Sequence, residues 1–166
     1  VHQEKTRGDD NALLILEFEN GVTALAEESW TKPGGMDDRA EVYGSGGVAY
    51  ANLLQGNSIL TYSSAGYEYA VEKAGSTQGW SFTMVEELWN YGFPHEFAHF
   101  VDCVANDKRP LVTGEDGRAV LEVLFAAYAS AGAGRKISLP FHSDAARPID
   151  LWRDVSRPRS AKDAAP

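Results

Sequence analysis

The chain has 166 residues, 43% hydrophobic and 23% charged, the make-up of an ordinary globular domain long enough to bury a core. Its net charge of -9 comes without any Lys/Arg cluster, which argues against nucleic acid or an anionic membrane surface as a partner. A single cysteine, Cys103, rules out an internal disulfide framework, and no apolar run approaches the roughly twenty residues of a membrane span.

Val1 to Asp10 is polar and reads as a lead-in, with no signal-peptide pattern. Because the chain enters polar sequence directly from a valine, the expectation is a fragment or a processed product; the single cysteine favours a reducing, cytoplasmic compartment. Ala12 to Phe18 and Val22 to Thr31 are apolar runs with β-branched residues on either side of Asn20-Gly21, the strongest short hairpin signal. Leu13-Leu14-Ile15-Leu16 is apolar at consecutive positions, so both faces of that strand should be covered. Lys32 to Asp38 contains Pro33-Gly34-Gly35 and reads as a loop. Arg39 to Tyr43 and Val48 to Ala51 flank Gly44-Ser45-Gly46-Gly47, a second hairpin, and Ser58 to Tyr62 with Tyr67 to Lys73 make a third. Ala74 to Asn90 reads mostly as loop with one helical turn.

Two helices follow. The first opens at Phe93-Pro94, where proline loses nothing by lacking an N–H, and closes at Asn106 to Pro110. The second follows Thr113, whose hydroxyl can cap it, with Asp116 three residues on as a weaker form of the capping box, and stops at Gly132 and Gly134. It is apolar nearly all round, so burial on several sides is expected. A short strand is predicted over Lys136 to Leu139, and from Phe141 the chain turns to Pro, Arg, Asp and Ala, an extended arm. Strands followed by helices argue an α+β domain: an open, mainly antiparallel sheet with helices packed on one face. The sheet's other face then calls for a cover, most simply an oligomer partner.

The sharpest chemical motif is His95-Glu96-Phe97-Ala98-His99, the H-E-x-x-H of zinc hydrolases, in which two histidines bind metal and the glutamate polarises its water. On a helical wheel Phe93, Phe97, Phe100, Val101 and Val104 share one face, and His95, His99 and Asp102 the opposite one. Pro94 places His95 in the first turn, and no third ligand is clearly placed, so polar-face histidines without metal are the preferred reading. Gly44 to Gly47 is followed by strand-like Val48 to Ala51 instead of the helix N-terminus a phosphate loop requires, which favours a hairpin turn. Trp30 and Lys32, beside the Pro33-Gly34-Gly35 loop, form a ligand-facing candidate; a tryptophan in a subunit interface is the competing reading. Cys103 reads as an inert thiol.

Gly92-Phe93-Pro94-His95-Glu96-Phe97-Ala98-His99-Phe100-Val101, Arg109-Pro110, Gly114 to Glu122, Ala126 to Gly132 and Gly134 to Pro140 together resemble the C-terminal end of the Gfo/Idh/MocA oxidoreductases. Asp10 to Ala12, Phe18 to Gly21, Glu28 to Trp30 and Arg39 to Gly44 resemble the strands before it, so the resemblance covers roughly residues 9 to 142. It implies a domain at 1–142 that forms the substrate wall and oligomer surface of an NAD- or NADP-dependent enzyme acting on a sugar or polyol, followed by an arm at 143–166. It also implies that the Rossmann domain, the catalytic lysine and the D-x-x-x-H histidine precede Val1. No catalytic, cofactor-binding or metal-binding residue is then expected here, and the chain alone should not turn over. Trp30, Lys32 and His95 are the positions offered as substrate-facing. The partners implied are the Rossmann domain, further copies of the chain through the sheet face, and a small-molecule substrate.

Overall fold

The turn at Asn20-Gly21 sets the first hairpin. Phe18 N donates to Val22 O (2.9 Å), Gly21 N to Phe18 O (2.9 Å) and Val22 N to Asn20 Oδ1 (3.1 Å). Gly21 has φ 86°, a left-handed conformation that costs glycine nothing. The computed structural model describes residues 8–32, 37–54, 56, 59–68, 76–83 and 86–152. It falls into two units, residues 1–31 with 111–166, and residues 32–110.

In the first unit β1 (Asn11–Glu17) pairs antiparallel with β2 (Thr23–Ser29), Glu17 opposite Thr23 at the turn and Asn11 opposite Ser29 at the far end. Ala12, Leu14, Leu16, Ala24 and Ala26 are half-buried on one face, while Leu13, Ile15 and Leu25 are exposed on the other. The expectation that both faces of β1 are covered therefore holds for one face only within this chain. The long helix, Gly114–Ala133, carries the expected capping box: Asp116 N donates to Thr113 Oγ1 (3.4 Å) and Thr113 N to the Asp116 carboxylate (2.8 Å). It runs through Gly132 and ends at Gly134, whose φ is 63° and whose N–H reaches Ser130 O at 2.8 Å. Its burial is confined to the stretch from Glu122 to Ser130, where residues 125–130 are buried or half-buried on every face with Ala126 innermost, while Val120, Leu121 and Leu124 stay exposed.

The strand expected over Lys136 to Leu139 is irregular backbone. A strand persists only beside a ladder partner, and among the described residues none pairs with it. Side chains hold this stretch instead. Ser130 Oγ donates to Arg135 O (2.8 Å), Lys136 pairs with Glu17, and the Glu122 carboxylate accepts Phe141 N at 2.6 Å. The segment beyond contains a further helical turn, Ile149–Trp152, which packs on the end of the long helix; Arg147 reaches Asp150 at 2.6 Å.

In the second unit β3 (Arg39–Gly44) pairs with β4 (Gly47–Asn52), and Gly44 sits opposite Gly47. The glycine-rich stretch is thus a hairpin turn, as read. β5 (Ile59–Ser63) pairs with β6 (Gly79–Thr83). Tyr67 and Glu68 lie outside any strand, and 69–73 fall outside the described residues, as do Ser58 and Pro33-Gly34-Gly35. Ser63 Oγ accepts Gly66 N at 2.9 Å and so makes a turn there, after which Tyr67 and Glu68 do not pair with β5. Pairing is antiparallel throughout, and among the described residues the ladders form three two-stranded sheets. α1 (Glu87–Asn90) is the single helical turn expected before α2 (Phe93–Ala105). In chain order the helix Gly114–Ala133 is α3 and Ile149–Trp152 is α4. α2 starts after Gly92 (φ 80°), with Pro94 in its first turn, and closes with Asn106 N on Asp102 O at 3.0 Å.

Candidate functional site

Trp30 follows β2 directly and is 89% exposed, an unusual position for so large an apolar side chain. Its backbone is nonetheless tightly held. Trp30 N donates to Asp10 O at 2.8 Å, one step past the last registered pair of the hairpin. Asn11 spans the two neighbours of Trp30: its Nδ2 donates to Thr31 Oγ1 (2.8 Å) and its Oδ1 accepts from Ser29 Oγ (2.6 Å). Asn11 Nδ2 also donates to Asp10 Oδ1 (3.1 Å), and Thr31 N to Ser29 Oγ (3.3 Å). Asp10 is only 4% exposed, so its carboxylate needs such donors. The result is an apolar indole face, open to a ligand, on a backbone pinned at three consecutive residues.

Lys32 belongs to the second unit and pairs with Asp37 at 3.3 Å; Arg39 Nε shares that carboxylate at 2.8 Å. His95 lies edge-on to Trp89, ring centroids 5.8 Å apart. None of these partners is shared among Trp30, Lys32 and His95. His99 turns its ring toward Cys103, with Nε2 3.5 Å from Sγ, and Cys103 is buried. Asp102 is engaged by Lys108 Nζ (2.9 Å) and Asn106 Nδ2 (2.7 Å), which hold its carboxyl below the usual carboxylate range. Among the described residues, no three His, Cys, Asp or Glu side chains are grouped to hold a metal ion. Nor do these residues fit a dinucleotide's pyrophosphate, because the turn at Gly44 to Gly47 opens strand β4 and offers no helix N-terminus.

Sequence reasoning missed two polar clusters. One is the Asp10-Asn11/Ser29-Thr31 network just described. The other gathers hydroxyls around Tyr67, whose phenol oxygen lies 2.6 Å from Ser81 Oγ, 3.4 Å from Thr61 Oγ1 and in contact with Thr83 Oγ1. The Ser81 hydroxyl, then those of Thr61 and Thr83, pull the Tyr67 phenol below its ordinary value. Thr77 Oγ1 accepts from Tyr67 N (2.7 Å) and donates to Tyr67 O (2.6 Å), which fixes the ring's backbone. Ser81 and Thr83 alternate with Trp80 and Phe82, a period-two signal that marks β6 in the sequence.

The C-terminal alpha/beta domain of the Gfo/Idh/MocA oxidoreductase family matches residues 1–139. The chain belongs to this family. This Gfo/Idh/MocA domain is 32% identical over 130 residues to the scyllo-inositol 2-dehydrogenase (NAD(+)) of Bacillus subtilis (strain 168), an alignment covering 78% of this chain and 35% of that protein. It is 27% identical over 130 residues to the myo-inositol 2-dehydrogenase of Thermotoga maritima, covering 78% of this chain and 36% of the relative. The chain thus spans about a third of the length of these curated relatives. Among solved structures it resembles GenD2 from gentamicin A biosynthesis in complex with NAD, with a TM-score of 0.74 and 32% identity, over 84% of this chain and 40% of that one. The Gfo/Idh/MocA domain therefore has an NAD-bound structural neighbour and inositol dehydrogenases among its relatives.

Proposed function

We propose that this domain supplies the substrate wall and oligomer surface of an NAD-dependent dehydrogenase acting on a polyol or sugar, and does not turn over alone. The observation that carries the reading is the alignment with two inositol dehydrogenases, each over 130 residues. The nicotinamide, held by a separate N-terminal domain, supplies the hydride chemistry; this chain's residues bind and orient the substrate. Trp30, Lys32 and His95 are each offered as substrate-facing positions, Trp30 through an indole face suited to the C–H edges of a polyol. Residues 1–142 form the domain proper and 143–166 an arm, the oligomer being built from further copies through the exposed sheet faces. The lone cysteine fits a reducing, cytoplasmic setting.

The test compares residues 1–166 with the full-length polypeptide, each given NAD and myo-inositol, by NADH absorbance. The full-length protein should reduce NAD and the domain alone should not. Turnover by the isolated domain would defeat this division of labour.

A further inference from the structure

We infer that Asn11 and Thr31 are positioning residues for polyol binding, acting through Trp30; this rests on the proposed role of Trp30 as a substrate-facing wall. An exposed indole stacks on a ligand usefully only when its backbone is already fixed, because ordering it at the moment of binding subtracts from affinity. The end of the β1–β2 hairpin provides that fixing. Ladder hydrogen bonding from β2 stops at Ser29, where strand ends ordinarily fray. Here Asp10 O holds Trp30 N, and the single amide of Asn11 ties the residue before Trp30 to the residue after it. Side chains alternate along an extended strand, so the Ser29–Asn11–Thr31 network lies on the face opposite the indole. It braces Trp30 from behind without competing for the ligand. Asn11 suits this task because its amide donates through nitrogen and accepts through a separate oxygen, whereas an ionised carboxylate only accepts and a hydroxyl does both from a single atom.

The experiment uses the full-length polypeptide with NAD, and with myo-inositol and scyllo-inositol as probes. It measures kcat and KM for Trp30→Ala, Asn11→Ala, Thr31→Val and Thr31→Ser, with solution mass for each. Thr31→Val keeps the shape and removes only the hydroxyl, so the inference stands or falls even if Asn11→Ala fails to fold. Trp30→Ala should raise KM for inositol, and Thr31→Val should raise it about five- to tenfold, the weight of a lost hydrogen-bond pair, with kcat within about twofold. Thr31→Ser should restore the KM, and solution mass should not change. If Trp30→Ala raises KM while Thr31→Val and Asn11→Ala leave it alone, the positioning inference is overturned and the substrate-wall reading survives. If Trp30→Ala leaves KM unchanged, Trp30 does not face the substrate, and if it changes the solution mass, Trp30 is an interface residue; either result overturns the substrate-facing role of Trp30 and the positioning inference with it.

Discussion

Replacing Gly132 by alanine isolates the contact between α3 and α4. In an open helical position Gly→Ala stabilises by up to about 1 kcal/mol, because alanine is the better helix former and glycine the more costly to order. Gly132 is not open. A Cβ there would collide with the carbonyl oxygen of Leu151 and lie 3.1 Å from Trp152 Cα and 3.2 Å from Leu151 C. These are backbone atoms, so no rotamer change relieves them. Either the helices separate or the site is overpacked, at about 1–3 kcal/mol. Gly117, in the same helix with nothing within 4 Å of its would-be Cβ, is the control. Gly117→Ala should stabilise, and Gly132→Ala should fall about 1–3 kcal/mol short of it in denaturant unfolding. Hydrogen exchange read by mass spectrometry should show the amides of Asp150 and Leu151, bonded to Arg147 O and Pro148 O, exchanging faster in Gly132→Ala and unaltered in Gly117→Ala. Equal stabilisation by both substitutions, with unchanged exchange over 141–152, would refute the packing of α4 on α3.

Two further outcomes follow from single groups. Burial, and then its hydrogen bond to Asp9, push the Tyr128 phenol up to about 12. A folded value above the unfolded one near 10 means the contribution is fully present below pH 10 and is lost as pH rises through about 12. Tyr43, raised to about 12 chiefly by its bond to Glu41, ionises in the same range, so Tyr128→Phe should reduce the late phenolate absorbance step near pH 12 without abolishing it. At the start of α3, Thr113→Ala should cost about 1 kcal/mol in chemical unfolding. The backbone N–H of Thr113, then its hydroxyl, hold the Asp116 carboxyl below 3.8. A depressed folded value contributes stability above the unfolded one, lost as pH falls through the lowered value. The Thr113→Ala penalty should therefore shrink below about pH 4, and a penalty independent of pH would count against the capping box.

The hairpins and the helix limits were legible because each rests on a local signal: Asn20-Gly21, Gly44 to Gly47, Pro94, and the Thr113/Asp116 pair. The Trp30 network was legible one step further on. Counting back from Glu17 opposite Thr23 brings Asn11 opposite Ser29, and two residues whose side chains hydrogen-bond meet at the strand end. The third hairpin was misjudged for a physical reason. Tyr67 and its neighbours have strand propensity, and propensity does not choose a partner, whereas the alternation Trp80-Ser81-Phe82-Thr83 matches β5 face for face. Tyr62 meets Trp80 edge-on at 5.4 Å on one side, and Thr61 faces Ser81 on the other. The expectation of burial on several sides holds for residues 125–130 of α3, whereas its first two turns stay exposed.

Gly132 carries the clearest example of a signal present in the sequence and read for the wrong cause. In Ala129-Ser130-Ala131-Gly132-Ala133 it looks like a helix stop, yet the helix continues past it, and Gly134 supplies the left-handed terminus. A glycine inside a run of good helix formers costs stability that alanine would recover, so its place calls for a steric cause. The backbone of Leu151 and Trp152 provides one, since only a residue without a Cβ admits it. Leu151 and Trp152 lie beyond residue 139, where the family match ends. Glu122 adds a second anchor by accepting Phe141 N, and it holds the near end of the returning segment while Gly132 admits the far end. Because the two anchors act on opposite ends of one segment, Glu122→Gln should loosen residues near Phe141 and leave the Leu151 contact in place, whereas Gly132→Ala should do the reverse.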